Sequence, residues 1–287
     1  MQSEQRSILQ DLLRIQPAEV QKTAYSFVYW FSAIGAFSVA RTTRYSLFLE
    51  IPNYKAELPK AYILSAITVS IAMLSYSKVE RILRRDRTTT ISLWILITIT
   101  LLFRVAFVQN NHLLYWLFYI WVEIFGAFLV VQFWSLINEV FHSRQAKRLF
   151  AIISSGGLLS NIPFGYGIRA SVSTIGTENL LFIVIGCLGI NLWMVRKIAE
   201  ETRYELTQAH KRRPDKLATS SPNQLRSGYF PKVLKTKHLK LIAATVILMY
   251  WVSTLIDYQF SVILGDSVAG KDARSAYIAT LFLVTGI

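Results

Sequence analysis

Five ionisable residues stand where an apolar chain should not tolerate them. Arg104, Glu123 and Asp257 fall inside long hydrophobic runs, and Arg41 and Arg44 close the first such run. A charge at membrane depth costs several kcal/mol unless it is paired or hydrated, so each marks a candidate site for an ion or a charged solute. Guanidinium groups suit phosphate or carboxylate oxygens, which they grip two at a time. A carboxylate such as Glu123, about midway along the run Leu113 to Leu136, lies too deep to reach water along its own stem. It needs a cation, water or a substrate. For Arg104 a structural pairing near an interface and a functional role are equally open. Glu139 and Arg148 read as an ion pair near a membrane surface.

Other chemistries find no support. No nucleophile–base pair is spaced for catalysis, so an enzyme is not expected. Cys187 is the only cysteine, which excludes an intrachain disulfide and a cysteine zinc site. His112, His142, His210 and His238 are scattered without metal-ligand spacing, and no cofactor is implied. The run Gly265-Asp266-Ser267-Val268-Ala269-Gly270-Lys271-Asp272 has the glycine and lysine spacing of a phosphate loop. Asp272 replaces the hydroxyl residue that binds magnesium there, and no strand precedes it, so it reads as a turn.

The elements that carry these residues are membrane helices. The chain is 53% hydrophobic with a net charge of +14, and its mean hydropathy is +0.38. A nucleic-acid binder would be basic but would not contain apolar runs of about 20 residues. Spans are predicted at 24–41, 59–77, 91–109, 112–137, 149–170, 178–195 and 240–260, with an eighth from 275 that is cut short. With the N-terminus inside, 23 Lys and Arg fall in inner segments and 7 in outer ones, leaving Arg104 in the membrane. That asymmetry sets the orientation.

Four regions follow: an amphipathic inner segment over 1–23, a six-helix half over 24–195, a basic inner loop over 196–239, and the start of a second half over 240–287. The fold class is all-α, polytopic and major-facilitator-like. The missing second-half helices are expected as partners, with the lipid bilayer; nucleic acid is not. Val28-Tyr29-Trp30-Phe31-Ser32 and Met249-Tyr250-Trp251-Val252-Ser253 form a faint repeat between the first and seventh spans. Ser154 to Pro163 combines small residues with a proline, and tight packing and a flexible gate are both open readings.

The fourth and fifth spans carry a family pattern. Trp121-Val122-Glu123-Ile124-Phe125-Gly126, Gln132-Phe133-Trp134-Ser135-Leu136-Ile137-Asn138-Glu139, Ala146-Lys147-Arg148-Leu149-Phe150 and Gly156-Gly157 resemble the ATP/ADP translocase family. Arg41-Thr42-Thr43-Arg44-Tyr45 resembles its basic motif, and Asp257-Tyr258-Gln259-Phe260 its acidic–aromatic motif in the seventh span. The resemblance implies a twelve-span fold exchanging ATP, ADP or another anionic solute across a membrane, for which a bacterial inner membrane is the expected place. It implies a substrate-linked cation at Arg44 and a required carboxylate at Glu123. Thr42, Tyr45 and Ser261 depart from the family's charged residues, which leaves the choice of nucleotide open. Two other readings stand beside it: a membrane module that anchors or senses for a further domain, and a facilitator of an unrelated solute.

Overall fold

The computed structural model describes residues 19–80, 85–109, 111–141, 143–212 and 237–285. Eight α-helices occur in these segments: α1 (Val20–Phe48), α2 (Tyr54–Glu80), α3 (Arg85–Ala106), α4 (His112–Val140), α5 (Ser143–Ile175), α6 (Leu180–Arg212), α7 (Lys237–Ser267) and α8 (Lys271–Thr285). Two single 3₁₀ turns, Phe107–Gln109 and Thr177–Asn179, lead into α4 and α6. No strand occurs among the described residues. The amphipathic segment expected over 1–23 lies outside them as far as residue 18, and so does 213–236 of the expected basic loop.

Six helices are long and apolar enough to cross a membrane: Tyr54–Lys78, Arg87–Gln109, His112–Val140, Arg148–Ile175, Thr177–Thr202 and His238–Ser267. This is the pattern of a multi-pass membrane protein. The two helices that fall short do so for different reasons. The described part of α8 has only 15 residues. In α1, Ser, Thr and Arg dilute the hydropathy, because the helix does not face lipid: 19 of its 29 residues are buried.

Around that central helix the usual polarity of a folded chain is inverted. The rim exposes Ile63, Ile71, Leu74, Trp94, Leu102, Leu158 and Trp193, whereas α1 buries Ser26, Ser32, Thr42, Thr43, Arg44 and Ser46. Without water to drive helices together, small residues and interhelical hydrogen bonds must do it. The hydroxyls of Thr23, Ser26, Thr42 and Thr43 each donate to the carbonyl four residues back. Others reach across: Ser32 to Asn191 on α6, Ser38 to Asn161 on α5, and Ser275 of α8 to Ser46. An aromatic seam joins α1 to α4, with Trp30 stacked 4.3 Å from Phe133 and Phe48 4.6 Å from Tyr119.

The Ser-Gly-Gly stretch of α5 is a contact surface. A β-carbon on Gly157 would lie 2.6 Å from Trp30 Nε1, and one on Gly156 would lie 3.0 Å from the Phe27 carbonyl oxygen. Farther along, one on Gly165 would lie 2.9 Å from the Ala279 carbonyl oxygen of α8. The helix runs unbroken through Pro163. Close packing accounts for these small residues. Gly157→Val is therefore expected to cost about 1–3 kcal/mol, because the Trp30 indole is wedged by Phe133 and Trp134. Gly167, with nothing within 4 Å of its added β-carbon, is the control. Gly167→Ala should be neutral or slightly stabilising in the same detergent melting experiment.

Several boundaries differ from the sequence reading, and two of them bear on the charged residues. The sixth span was expected to end at residue 195, but α6 continues to Arg212. Charge ends the membrane-buried part and not the helix, since Glu, Lys and Arg are good helix formers and Lys197 meets Glu200 one turn on at 3.1 Å. The first span was expected to stop at Arg41, yet α1 carries Arg41 and Arg44 inside its last two turns.

Candidate functional site

Arg41, Arg44 and Tyr45 occupy positions i, i+3 and i+4 of α1, which brings their side chains to one region of its surface. On α4, Tyr119 and Glu123 have the same four-residue relation. Where the two helices meet, the Arg44 guanidinium is sandwiched between the rings of Tyr45 and Tyr119, 4.4 Å from each centroid. It forms an ion pair with Glu123. Arg44 is only 2% exposed in its side chain, while Glu123 keeps 38%. The pair therefore has a fixed cation and an anion with room to move. The Nε–H of Arg44 is buried and has no partner among the described residues.

A second pair brings α7 to the same place. Arg41 Nη2 donates to Asp257 Oδ1 at 2.9 Å and to the Tyr45 hydroxyl at 2.9 Å. Tyr45 in turn donates to Asp257, and Tyr62 of α2 donates to Asp257 Oδ2 at 2.9 Å. Asp257 thus accepts from three side chains on two helices. The guanidiniums of Arg41 and Arg44 both lie near the Tyr45 ring, so the two pairs form one cluster over α1, α2, α4 and α7. Its formal charge is zero, with two guanidiniums and two carboxylates. Desolvating like this is tolerable only when each charge is matched.

The aromatic faces matter as much as the charges. Tyrosine rings over a desolvated guanidinium add about 0.5–2 kcal/mol each. They also present flat apolar surface beside a cation, which suits a ligand that is planar at one end and anionic at the other. Tyr62 and Tyr119 were not singled out in the sequence. Tyr119 had a usable signal, its place one turn before Glu123; Tyr62 had none, because its partner Asp257 is 195 residues away.

Arg104, also a candidate substrate ligand, does not join the cluster. Its Nε donates to Asn179 Oδ1 at 2.8 Å, and its guanidinium lies 5.3 Å from the Phe182 ring centroid. It clamps the end of α3 to the start of α6. Arg148, expected to pair near the surface with Glu139, binds the Glu19 carboxylate at 3.0 Å and so ties α5 to the start of α1. Of the phosphate-loop-like run, Gly265 to Ser267 end α7, Lys271 and Asp272 open α8, and only residues 268–270 form the turn, with Gly270 at φ +84. Its Lys271 pairs with Glu178, and Asp272 accepts from the Thr177 amide and hydroxyl at 2.8 and 2.7 Å. Partial burial works against the Lys271 charge, but hydrogen bonding and attraction to Glu178 outweigh it and hold its pKa above the ordinary lysine value.

These contacts belong to a belt at the end expected to face outside. Glu50 accepts from Arg274 at 2.7 Å, and Asp266 accepts from Lys55 at 2.8 Å and from Tyr54 at 2.9 Å. Thr177 also meets Ser275 at 3.0 Å. Every one of these bridges joins the first six helices to α7 or α8. Toward the other end α7 is uncovered: between His238 and Ile256 every residue except Ala243 is exposed. Tyr250 and Trp251 are 73% and 72% exposed, although their counterparts in the faint repeat, Tyr29 and Trp30, are buried.

Among the described residues no group of three or more His, Cys, Asp or Glu could hold a metal ion. Comparisons with protein-family profiles, with curated proteins and with solved structures give no match.

Proposed function

We propose that this chain is a transporter-type membrane domain of major-facilitator layout. It moves an anionic solute by alternating access, and its substrate site is the Arg41–Arg44–Glu123–Asp257 cluster. The solute class is a nucleotide such as ATP or ADP, as the resemblance to ATP/ADP exchangers implies. The observation that carries this reading is the asymmetric Arg44–Glu123 pair, a buried cation held by an exposable carboxylate. An arriving phosphate would take the place of Glu123 on Arg44, and Asp257 would offer the same exchange on Arg41. The tyrosines beside them suit a nucleobase or another flat group.

A direct consequence concerns Glu123→Gln. If the carboxylate competes with substrate for Arg44, removing its charge frees the cation, and ATP should bind about tenfold more tightly. Exchange should nevertheless slow, because nothing then displaces the bound anion. Equilibrium binding and vesicle exchange on the full-length protein measure the two effects separately. Weaker or unchanged binding in a well-folded Glu123→Gln would count against the competition.

A second reading is a non-transporting module that anchors or senses for a further domain. The saturation of Asp257 by Arg41, Tyr45 and Tyr62 favours it, since a fully bonded carboxylate also makes a good structural tie. In that case neutral variants would lose thermal stability and change nothing in binding.

A further inference from the structure

A groove of about 420 Å³ opens between the start of α3 and the middle of α6, lined by Arg87, Thr90, Ile91, Val195, Arg196 and Glu200 among others. A second trough of about 320 Å³ runs along Ile91, Trp94, Ile95, Thr98 and Ile99. The two share Ile91. Residues 87, 90, 91, 94, 95, 98 and 99 form one stripe of α3 at helical spacing. From Arg87 to Ile99 the stripe is about 18 Å long, close to one leaflet of a bilayer.

The stripe is polar and basic at one end and apolar along the rest. Arg87 and Arg196 are both exposed, and neither is in an ion pair with a described residue. Glu200 also lines the groove, but Lys197 engages it at 3.1 Å, so the local balance is positive. The Lys and Arg count puts this end at the inner leaflet, where acidic lipids collect. Trp94 and Ile95, each 51% exposed, form the wall of the trough below.

We infer that α3 and α6 form a binding site for an anionic phospholipid of the inner leaflet, with the headgroup phosphate between Arg87 and Arg196 and an acyl chain along Ile91 to Ile99. A phosphate diester offers the oxygens that two guanidiniums can share, and its chain follows the trough that meets the groove at Ile91. The site lies on the outside of the six-helix half, away from the Arg44 cluster, and does not depend on the transport reading.

The test uses Trp94 as the reporter. Full-length protein in detergent is titrated with phosphatidylglycerol or phosphatidylcholine brominated along the acyl chain, and the quenching lost in Trp94→Phe is assigned to the trough. Phosphatidylglycerol should quench at a lower mole fraction, by about fivefold for each arginine, the gain of ~1 kcal/mol that a basic side chain makes at an anionic surface. Arg87→Gln with Arg196→Gln should erase the preference, and the paired lysine variants should retain most of it, which separates charge from folding. Equal quenching by the two lipids would overturn the site, as would a preference that survives in the glutamine variant. Displacement of the lipid by millimolar inorganic phosphate would assign the groove to a free anion instead.

Discussion

Arg44→Ala is expected to lower ATP affinity of the full-length protein by about ten- to over a hundredfold, the equivalent of losing a charge-assisted phosphate contact of about 1.5–3 kcal/mol. The side chain is nearly fully buried between two tyrosine rings, so the change also removes packing and leaves Glu123 without its cation. A carboxylate that loses its cation there lowers stability, but by less than the about 3–5 kcal/mol of a fully buried one, because Glu123 keeps 38% exposure. The double variant Arg44→Ala with Glu123→Gln separates the two effects: it should recover much of the thermal stability and none of the binding. Arg44→Lys keeps the charge and should bind with an intermediate affinity, since an ammonium cannot fork two phosphate oxygens in one plane. Recovery of binding in the double variant would show that Arg44 serves the fold alone.

The second large effect concerns the belt between the first six helices and α8. Arg274→Gln together with Lys271→Gln removes the bridges to Glu50 and Glu178. Both bridges are partly exposed and screened, so together they contribute about 1–2 kcal/mol. That still shifts a two-state equilibrium by about five- to thirtyfold toward the form open on this side. The reporter is Ser46→Cys in a Cys187→Ala background. Ser46 is fully buried between α1 and α8, hydrogen-bonded to Ser275 at 2.7 Å. An impermeant thiol reagent added outside should label it five- to thirtyfold faster once the bridges are gone. No change in labelling would mean that the belt does not hold a gate.

Much of the fold was legible in the sequence because the membrane imposes simple rules. Long apolar runs, charged breaks and the Lys and Arg bias place α2 to α7 without any tertiary information. The central place of α1 was not legible in the same way. Its serines and threonines resemble those of a weak span, and only its encirclement by α4, α5, α6 and α8 explains them. The site was half legible. Depth alone marked Glu123 and Asp257, but the same argument also marked Arg104, which meets Asn179 instead. Depth says that a charge needs a partner and does not say which one. The pairing of Arg41 with Asp257 joins residues 216 apart, and nothing local in either helix encodes it. Tyr62 stayed hidden for the same reason.

Equilibrium titration of ATP into the full-length parent, Glu123→Gln and Arg44→Ala, side by side in one detergent, tests the central claim most directly. That claim is that Arg44 is a phosphate-binding cation held in reserve by Glu123. It predicts saturable binding in the order Glu123→Gln tightest, parent next and Arg44→Ala weakest, with about tenfold or more between successive members. Equal affinities in three folded proteins, or no saturable binding in the parent and Glu123→Gln, would contradict it.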